Sequence, residues 1–258
     1  MIASPSTQAC QAGHQRHESR LVSVILDGQP AVPDLPPIPH DLACTWDMHV
    51  WHTDPYMGQI GIYCTGQDET SLSIASQGIW EGYETLAALQ ILQQPGLVVD
   101  VGAQVGWYTM LAAVNGCDVV AVEADPENVR LLETNTAQFD HVEIVHGWIG
   151  DDTPPAYPQP VRLLKVDIEG LERESVRVFR PGLVLHDIDW LMLELTPSFP
   201  GSDIGGIVAQ LHAAGYQTRL VPEKGDPVDG LVWDASIPVT PAEAVTLTEQ
   251  RTLLAGLA

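Results

Sequence analysis

Beyond residue 81 the chain is punctuated by runs that are apolar throughout, each leading toward a segment of helical period. LVVDVG, CDVVAVEA, VRLLKVDI and DWLMLELT are the clearest. A strand with no polar alternation needs cover on both faces, which helices on either side of a parallel sheet supply. EGYETLAALQILQQ reads as a helix ending before Pro95, and WYTMLAAVN as another that follows a glycine turn directly. Asp125 is placed to cap a further helix, with Pro126 at its first position and Val129, Leu131 and Leu132 on its apolar side. HVEIVHG reads as a strand, LERESVRVF and IGGIVAQLHAA as helices, the latter closed by Gly215. Such alternation predicts a doubly wound α/β fold around a mostly parallel sheet. Ligands of these sheets sit beyond the carboxyl ends of the strands, at the point where strand order reverses. Functional residues are therefore expected where strands end.

The flanking segments have a different texture. Residues 1–44 combine a polar, aperiodic start with the proline-rich stretch QPAVPDLPPIPHD, and read as a mobile tail and an extended linker. Residues 45–80 hold short β-like pieces, MHVWH, IGIYC and LSIAS, and form an N-terminal β-rich extension or cap. YQTRLVP and GLVWDA are expected as antiparallel strands. Residues 237–258 begin with the helix-start signature Thr240-Pro241-Ala242-Glu243 and are expected to form a helical tail, as a lid or a dimer helix. No run of about 18 apolar residues is present, so no membrane-spanning helix is expected. The first residues lack the apolar centre of a secretory signal. Cys10, Cys44, Cys64 and Cys117 are far apart and read as reduced thiols of a cytoplasmic protein.

Three strand ends carry chemistry. Asp100-Val101-Gly102-Ala103-Gln104-Val105-Gly106 is a strand, a Gly-x-x-x-Gly turn and a helix start, which lets backbone approach a ligand closely. It lacks the third glycine of a pyrophosphate-binding loop. Glu123 ends the next strand, and an acid about 20 residues after the first glycine suits the two hydroxyls of a ribose. The bland alternatives are a tight turn without a ligand and a solvated acid; together the two features point to a nucleoside cofactor. Lys165-Val166-Asp167-Ile168-Glu169-Gly170 brings two carboxylates out of a buried strand. Asp167 reads as functional, whereas Glu169 serves equally well as an acid at a helix N-terminus. Glu194, in LMLELTP, adds an acid on the same rim.

These residues resemble the FkbM-type methyltransferases, which use S-adenosylmethionine. VVDVGAQVGWYT is similar to their D-x-G-A-N-x-G-x-x-T segment, AVEADPENVRLLETN to their F-E-P-x-P stretch, and LLKVDIEGLE to their L-K-I-D-V-E-G-x-E, with Glu172 at the final acid. WEGYE resembles the G-x-Y-E before the first strand, and LMLEL the closing strand. Gln104 replaces the usual Asn and Ala124 the Pro after the ribose acid. The resemblance spans roughly residues 70–220. It implies a Rossmann-like class I methyltransferase with a seven-stranded sheet, a cofactor-binding domain over residues 81–236, and methyl transfer to a hydroxyl of a sugar or natural product. Carried over, Asp100, Gly102, Ala103, Gln104 and Gly106 would surround the methionine and ribose of the cofactor, and Asp167 would also fix its methionine part. Glu123 would hold the ribose diol, Ala124 would lie beside the adenine, Asp151 would meet its amino group, and Tyr83 and Glu84 would close over it. Asp167 is the first choice of base, Glu169 the second and His186 an outsider; Lys165 either polarises the acceptor or, as the safer reading, is a lysine snorkelling from a strand edge. The product would be S-adenosylhomocysteine.

Charge and metal-ligand patterns narrow this further. The formal net charge is −23, from 34 acids against 11 lysines and arginines, with only two lysines, Lys165 and Lys224. Such a surface repels polyanions, so a small hydroxylated acceptor is expected, with no nucleic acid and no membrane as partner. Magnesium between Asp167 and Glu194 resembles the site of catechol-type methyltransferases and is the disfavoured alternative; no metal is expected. His49 and His52 with Asp54 and Cys64 do not make a zinc site, because strand residues three apart face opposite sides. The competing function classes are a non-catalytic cofactor-binding module, serving as a scaffold in a homo-oligomer, and an NAD-dependent oxidoreductase. The second predicts a glycine where the chain has Trp107 and Tyr108.

Overall fold

The computed structural model describes residues 48–54, 58–64, 68–77, 79–148, 160–222 and 231–257. The chain divides into two compact units, residues 1–80 and residues 81–258. In the first unit, strands β1 (Met48–Asp54) and β2 (Gly58–Cys64) pair antiparallel, from Met48 opposite Cys64 to Asp54 opposite Gly58. The third expected β-piece, LSIAS, lies instead in helix α1 (Glu69–Gln77). Asp68 accounts for this: its carboxylate accepts the Ser71 amide at 2.8 Å and the Ser71 hydroxyl at 2.7 Å, satisfying donors of the first turn. The expected tail and linker of residues 1–44 lie outside the described residues.

The second unit is built on one sheet. Its elements in chain order are α2 (Gly82–Leu92), β3 (Leu97–Val101), α3 (Trp107–Val114), β4 (Asp118–Glu123), α4 (Pro126–Thr136), β5 (Val142–His146) and β6 (Val161–Val166). They continue with α5 (Glu172–Leu185), β7 (Ile188–Leu195), α6 (Ile204–Ala213), β8 (Tyr216–Leu220), α7 (Val232–Ala235), β9 (Ile237–Pro238), α8 (Pro241–Ala244) and β10 (Arg251–Leu257). The sheet has eight strands in the order β5-β4-β3-β6-β7-β10-β8-β9. Pairings from β5 through β7 are parallel, and β10 runs antiparallel to both β7 and β8. This is the doubly wound, Rossmann-like arrangement the alternation predicts, with one strand more than the seven expected. The extra strand is the two-residue β9, antiparallel to β8.

The C-terminal segment departs from expectation. The capping box is present, with Thr240 and Glu243 bonded reciprocally, but its helix α8 stops at Ala244. RTLLAGL then enters the sheet as β10 between β7 and β8, and residues 252–256 are buried. Leu and Ala favour helices only weakly, by a few tenths of a kcal/mol per residue, so two flanking strands with open edges outweigh that preference. Gly256 fits this slot because a side chain there would press on the Trp190 ring, 2.7 Å away. GLVWDA, expected as a strand, supplies the short helix α7.

Every residue of β3 is buried, and Val99, Val101, Leu164, Val166, Leu191 and Leu193 belong to the same core. Each such side chain contributes on the order of 1.5–3 kcal/mol of transfer free energy. β3 lies between β4 and β6, so the chain goes one way from β3 to β4 and β5 and later returns to lay β6 on the other side. The order therefore reverses at β3, and the carboxyl ends of β3 and β6 flank the crevice where ligands of this fold bind. No helix among the described residues is long and apolar enough to cross a membrane.

Candidate active site

The glycine turn after β3 is held from three directions. Gly102 takes a left-handed conformation, φ +80°, and a Cβ on it would sit 1.8 Å from the Asp167 carbonyl oxygen. Only glycine permits the ends of β3 and β6 to approach so closely. The Gly102 and Ala103 amides donate to the Val122 carbonyl of β4, at 2.9 and 3.1 Å. The buried Asn135 side chain on α4 donates to the Val105 carbonyl at 2.7 Å. Gly106, φ +97°, opens α3, where a Cβ would meet Leu132 at 2.7 Å. Asp100 points one carboxylate oxygen at the Thr109 hydroxyl, 2.7 Å away. Its other oxygen, Oδ1, is buried and has no partner among the described residues. Burial pushes the Asp100 carboxyl above its ordinary range.

Glu123 closes the turn against β4. It is only 8% exposed, and its carboxylate accepts three backbone amides: Gln104 at 2.8 Å on one oxygen, Ala124 at 2.9 Å and Asp125 at 2.8 Å on the other. Charge-assisted bonds of this kind are the strong ones. Asp125 caps α4 by accepting the Glu127 and Asn128 amides, as its position predicts. Gln104 itself is left-handed at φ +50°, so the turn is fixed by Glu123 as well as by its glycines.

Beside the turn lies a cluster of titratable groups around Lys165. This lysine, the penultimate residue of β6, is 5% exposed. Its ammonium donates to Asp167 at 3.0 Å and stands 4.7 Å from the centre of the Tyr108 ring. The Tyr108 hydroxyl in turn donates to Glu81 at 2.7 Å. Oxygens of Glu81, Asp167 and Glu194 all lie within 4.8 Å of one another. Burial raises the Glu81 carboxyl to about 7, with Asp167 and Glu84 adding to the effect and Lys165 and Tyr108 opposing it. Glu194 is raised to about 9, by burial first and then by its hydrogen bond to Asp167. Burial also works against ionised Asp167, but Lys165 and the bonds from Glu194 and Lys165 outweigh it and hold that carboxyl below its usual range. Asp167 and Glu194 therefore share a hydrogen bond and titrate as a pair, with Lys165 favouring the ionised form of Asp167. Burial disfavours the Lys165 ammonium, yet Asp167, Asp100 and Glu81 together keep it above its ordinary value.

The remaining predicted residues divide. Glu84, in the first turn of α2, is hydrogen-bonded to Thr252 of β10, and burial raises its carboxyl. Tyr83 is half-buried on the same turn. Glu169 is exposed, with a left-handed backbone at φ +38°. Ala124 is exposed at the end of β4. His186 precedes β7, at the opposite end of the sheet from the cluster, and its Nε2 is 2.8 Å from the Ala214 carbonyl. It is therefore not placed to act as a base. Asp151 lies outside the described residues.

Two residues that sequence reasoning passed over shape the site. Glu81 stands in WEGYE, where the helix start and the G-x-Y-E resemblance drew attention to Tyr83 and Glu84 instead; its left-handed backbone, φ 42°, appears only in three dimensions. Glu172, quoted merely as the last acid of a motif, is buried and accepts the Gly170 amide and the Thr196 hydroxyl, each at 2.8 Å. It ties the loop after β6 to the exit of β7. Phe199 covers that loop, since a Cβ on Gly170 would meet its ring at 2.1 Å.

Three carboxylates this close suit a hard cation such as magnesium. The Lys165 ammonium already serves Asp167, however, and competes with a cation for that carboxylate.

No family model and no curated protein matches the sequence. Among solved structures, the chain is similar to a TehB-like S-adenosylmethionine-dependent methyltransferase from Corynebacterium glutamicum, at 14% identity and a TM-score of 0.47 over 72% of this chain and 94% of that one. It is similar to a putative tRNA (m1A22) methyltransferase from Streptococcus pneumoniae, at 15% identity and a TM-score of 0.45 over 70% and 71%. A METTL16 methyltransferase domain gives 15% identity and a TM-score of 0.42, over 66% of this chain and 64% of that one.

Proposed function

We propose that the chain is an S-adenosylmethionine-dependent O-methyltransferase of FkbM type, acting on a hydroxyl of a small molecule. The observation that carries this reading is the joint placement of the Gly102–Gly106 turn, its Glu123 clasp and the Lys165–Asp167 pair at the switch point of the sheet. The glycines leave room that a Cβ would fill, and the orphaned Asp100 Oδ1 suits a donor from a ligand. Glu123 uses three acceptor positions on backbone amides and has lone pairs left for a ribose diol. Ala124 would lie beside the adenine, and Tyr83 and Glu84, in the first turn of α2, would close over the cofactor.

Bound there, S-adenosylmethionine supplies a methyl group from its sulfonium. The chain's own task is to position and to exclude water. Asp167, kept ionised by Lys165, accepts the hydrogen bond of the acceptor hydroxyl and aims its oxygen. Glu169, on the exposed rim, contributes to acceptor binding. The net charge of −23 favours a neutral or cationic small acceptor over a polyanion. The test is a screen of hydroxylated small molecules with labelled cofactor. Once an acceptor is found, Asp167→Asn is expected to slow transfer at least about a hundredfold while S-adenosylhomocysteine affinity stays within a few-fold. Normal turnover by that variant contradicts the assignment.

A further inference from the structure

The cluster around Lys165 holds more acid than its one lysine balances. Glu81, Asp100 and Asp167 all act electrostatically on the Lys165 ammonium, as it does on Glu194. They come from four places: Glu81 at the head of α2, Asp100 on β3, Asp167 after β6 and Glu194 on β7. Tyr108 of α3 donates to Glu81, and Glu84, which itself feels Arg251, adds to the field on Glu81. An arrangement this crowded keeps its acids partly protonated until further positive charge arrives. A separate observation points to an incoming ligand, since Asp100, 1% exposed and coupled to both Lys165 and Asp167, leaves Oδ1 without a partner.

We propose that Glu81, Asp167 and Glu194 read the charge on the cofactor's sulfur, so that the sulfonium of S-adenosylmethionine binds by expelling a proton from this cluster while the thioether of S-adenosylhomocysteine leaves that proton in place. The inference rests on the methyltransferase reading above. The two ligands share adenosine, α-amino and α-carboxylate groups, so the sulfur charge is what distinguishes them. Glu81 is the group that yields its proton. Its oxygen lies within 4.8 Å of those of Asp167 and Glu194, and it is bonded to the neutral Tyr108 hydroxyl while Lys165 serves Asp167. Burial raises its carboxyl to about 7, against about 9 for Glu194, where burial and then Asp167 act. The balance closes over a turnover. As the carbon–sulfur bond breaks, its electron pair goes to sulfur and the positive charge there vanishes. The new oxygen–carbon bond forms, and the hydroxyl proton, accepted by Asp167, passes to the Glu81 carboxylate, whose oxygen lies within 4.8 Å of it. The pocket's net charge is unchanged, and a neutral product faces a cluster that has recovered its proton.

The test needs no acceptor. Calorimetric titration of the full chain at pH 7, in two buffers of different ionisation heat, counts protons exchanged on binding. About half a proton is expected to leave with S-adenosylmethionine and none with S-adenosylhomocysteine. Because the proton must leave before the sulfonium can bind, the affinity ratio of the two ligands falls about tenfold as pH drops from 7.5 to 6. Glu81→Gln is expected to flatten that dependence, and its retained S-adenosylhomocysteine binding shows that it folds; Glu194→Gln keeps the dependence. Equal proton release with both ligands, or an unchanged dependence in Glu81→Gln, overturns the proposal alone. Expulsion of the same proton by magnesium chloride without cofactor identifies a metal site and overturns it too. Binding of neither ligand overturns the methyltransferase reading and this inference with it.

Discussion

Asp167 and Glu194 end neighbouring strands and share a hydrogen bond, yet burial and Lys165 drive their proton affinities apart. The consequence for stability has a definite sign. Glu194 is raised from about 4.5 in the unfolded chain to about 9, so the folded state binds more protons between those values. Its contribution is therefore fully present at low pH and is lost as pH climbs toward 9. Glu81, raised to about 7, acts in the same direction over a narrower window. Asp167 opposes them only in acid, where its lowered carboxyl protonates. Glu194→Gln is accordingly expected to raise the melting temperature of the ligand-free protein at pH 8 and to change it little at pH 5, as read by calorimetric scans at the two values. A lower melting temperature at pH 8 contradicts the burial account of this residue. At this scale the sequence announced Asp100, Glu123, Lys165 and Asp167, because each lies at or beside the end of a recognisable strand. It did not announce Glu81, whose place depends on a left-handed residue and on Tyr108 from a separate helix.

Among the elements, the glycine turn carries the most constraint. Gly102→Ala puts a methyl 1.8 Å from the Asp167 carbonyl in a conformation that already disfavours side chains. Denaturant unfolding is expected to show a loss of about 3 kcal/mol or more, because β3 and β6 must separate. Asn135→Ala is milder: it orphans the buried Val105 carbonyl, at a cost of about 1–3 kcal/mol, and loosens the turn without moving the strands. Losses below about 0.5 kcal/mol in both variants contradict the clamped-turn account. β3, β4 and the capped α4 were legible because local signals and tertiary demand agree there: an apolar run, a glycine turn, an Asp-Pro start. β10 was not legible, since RTLLAGL carries no periodicity of its own and takes its conformation from the open edges of β7 and β8. LSIAS failed for the opposite reason, with β-branched and small residues overruled by the Asp68 cap.

Over the whole molecule, strand–helix alternation fixed the architecture, and the reversal of strand order at β3 fixed where to look for chemistry. The charge of −23 is a property of the entire surface, and the acids beside Lys165 account for a small part of it. Those few decide more than the total, because burial multiplies their effect while solvent screens the rest. On the function proposed above, this crevice holds S-adenosylmethionine. Calorimetric titration of the full chain with S-adenosylmethionine, S-adenosylhomocysteine and NAD measures it directly. Saturable binding of the first two, with heats absent for NAD, is the predicted result. Tight binding of NAD with no binding of the other two contradicts the account.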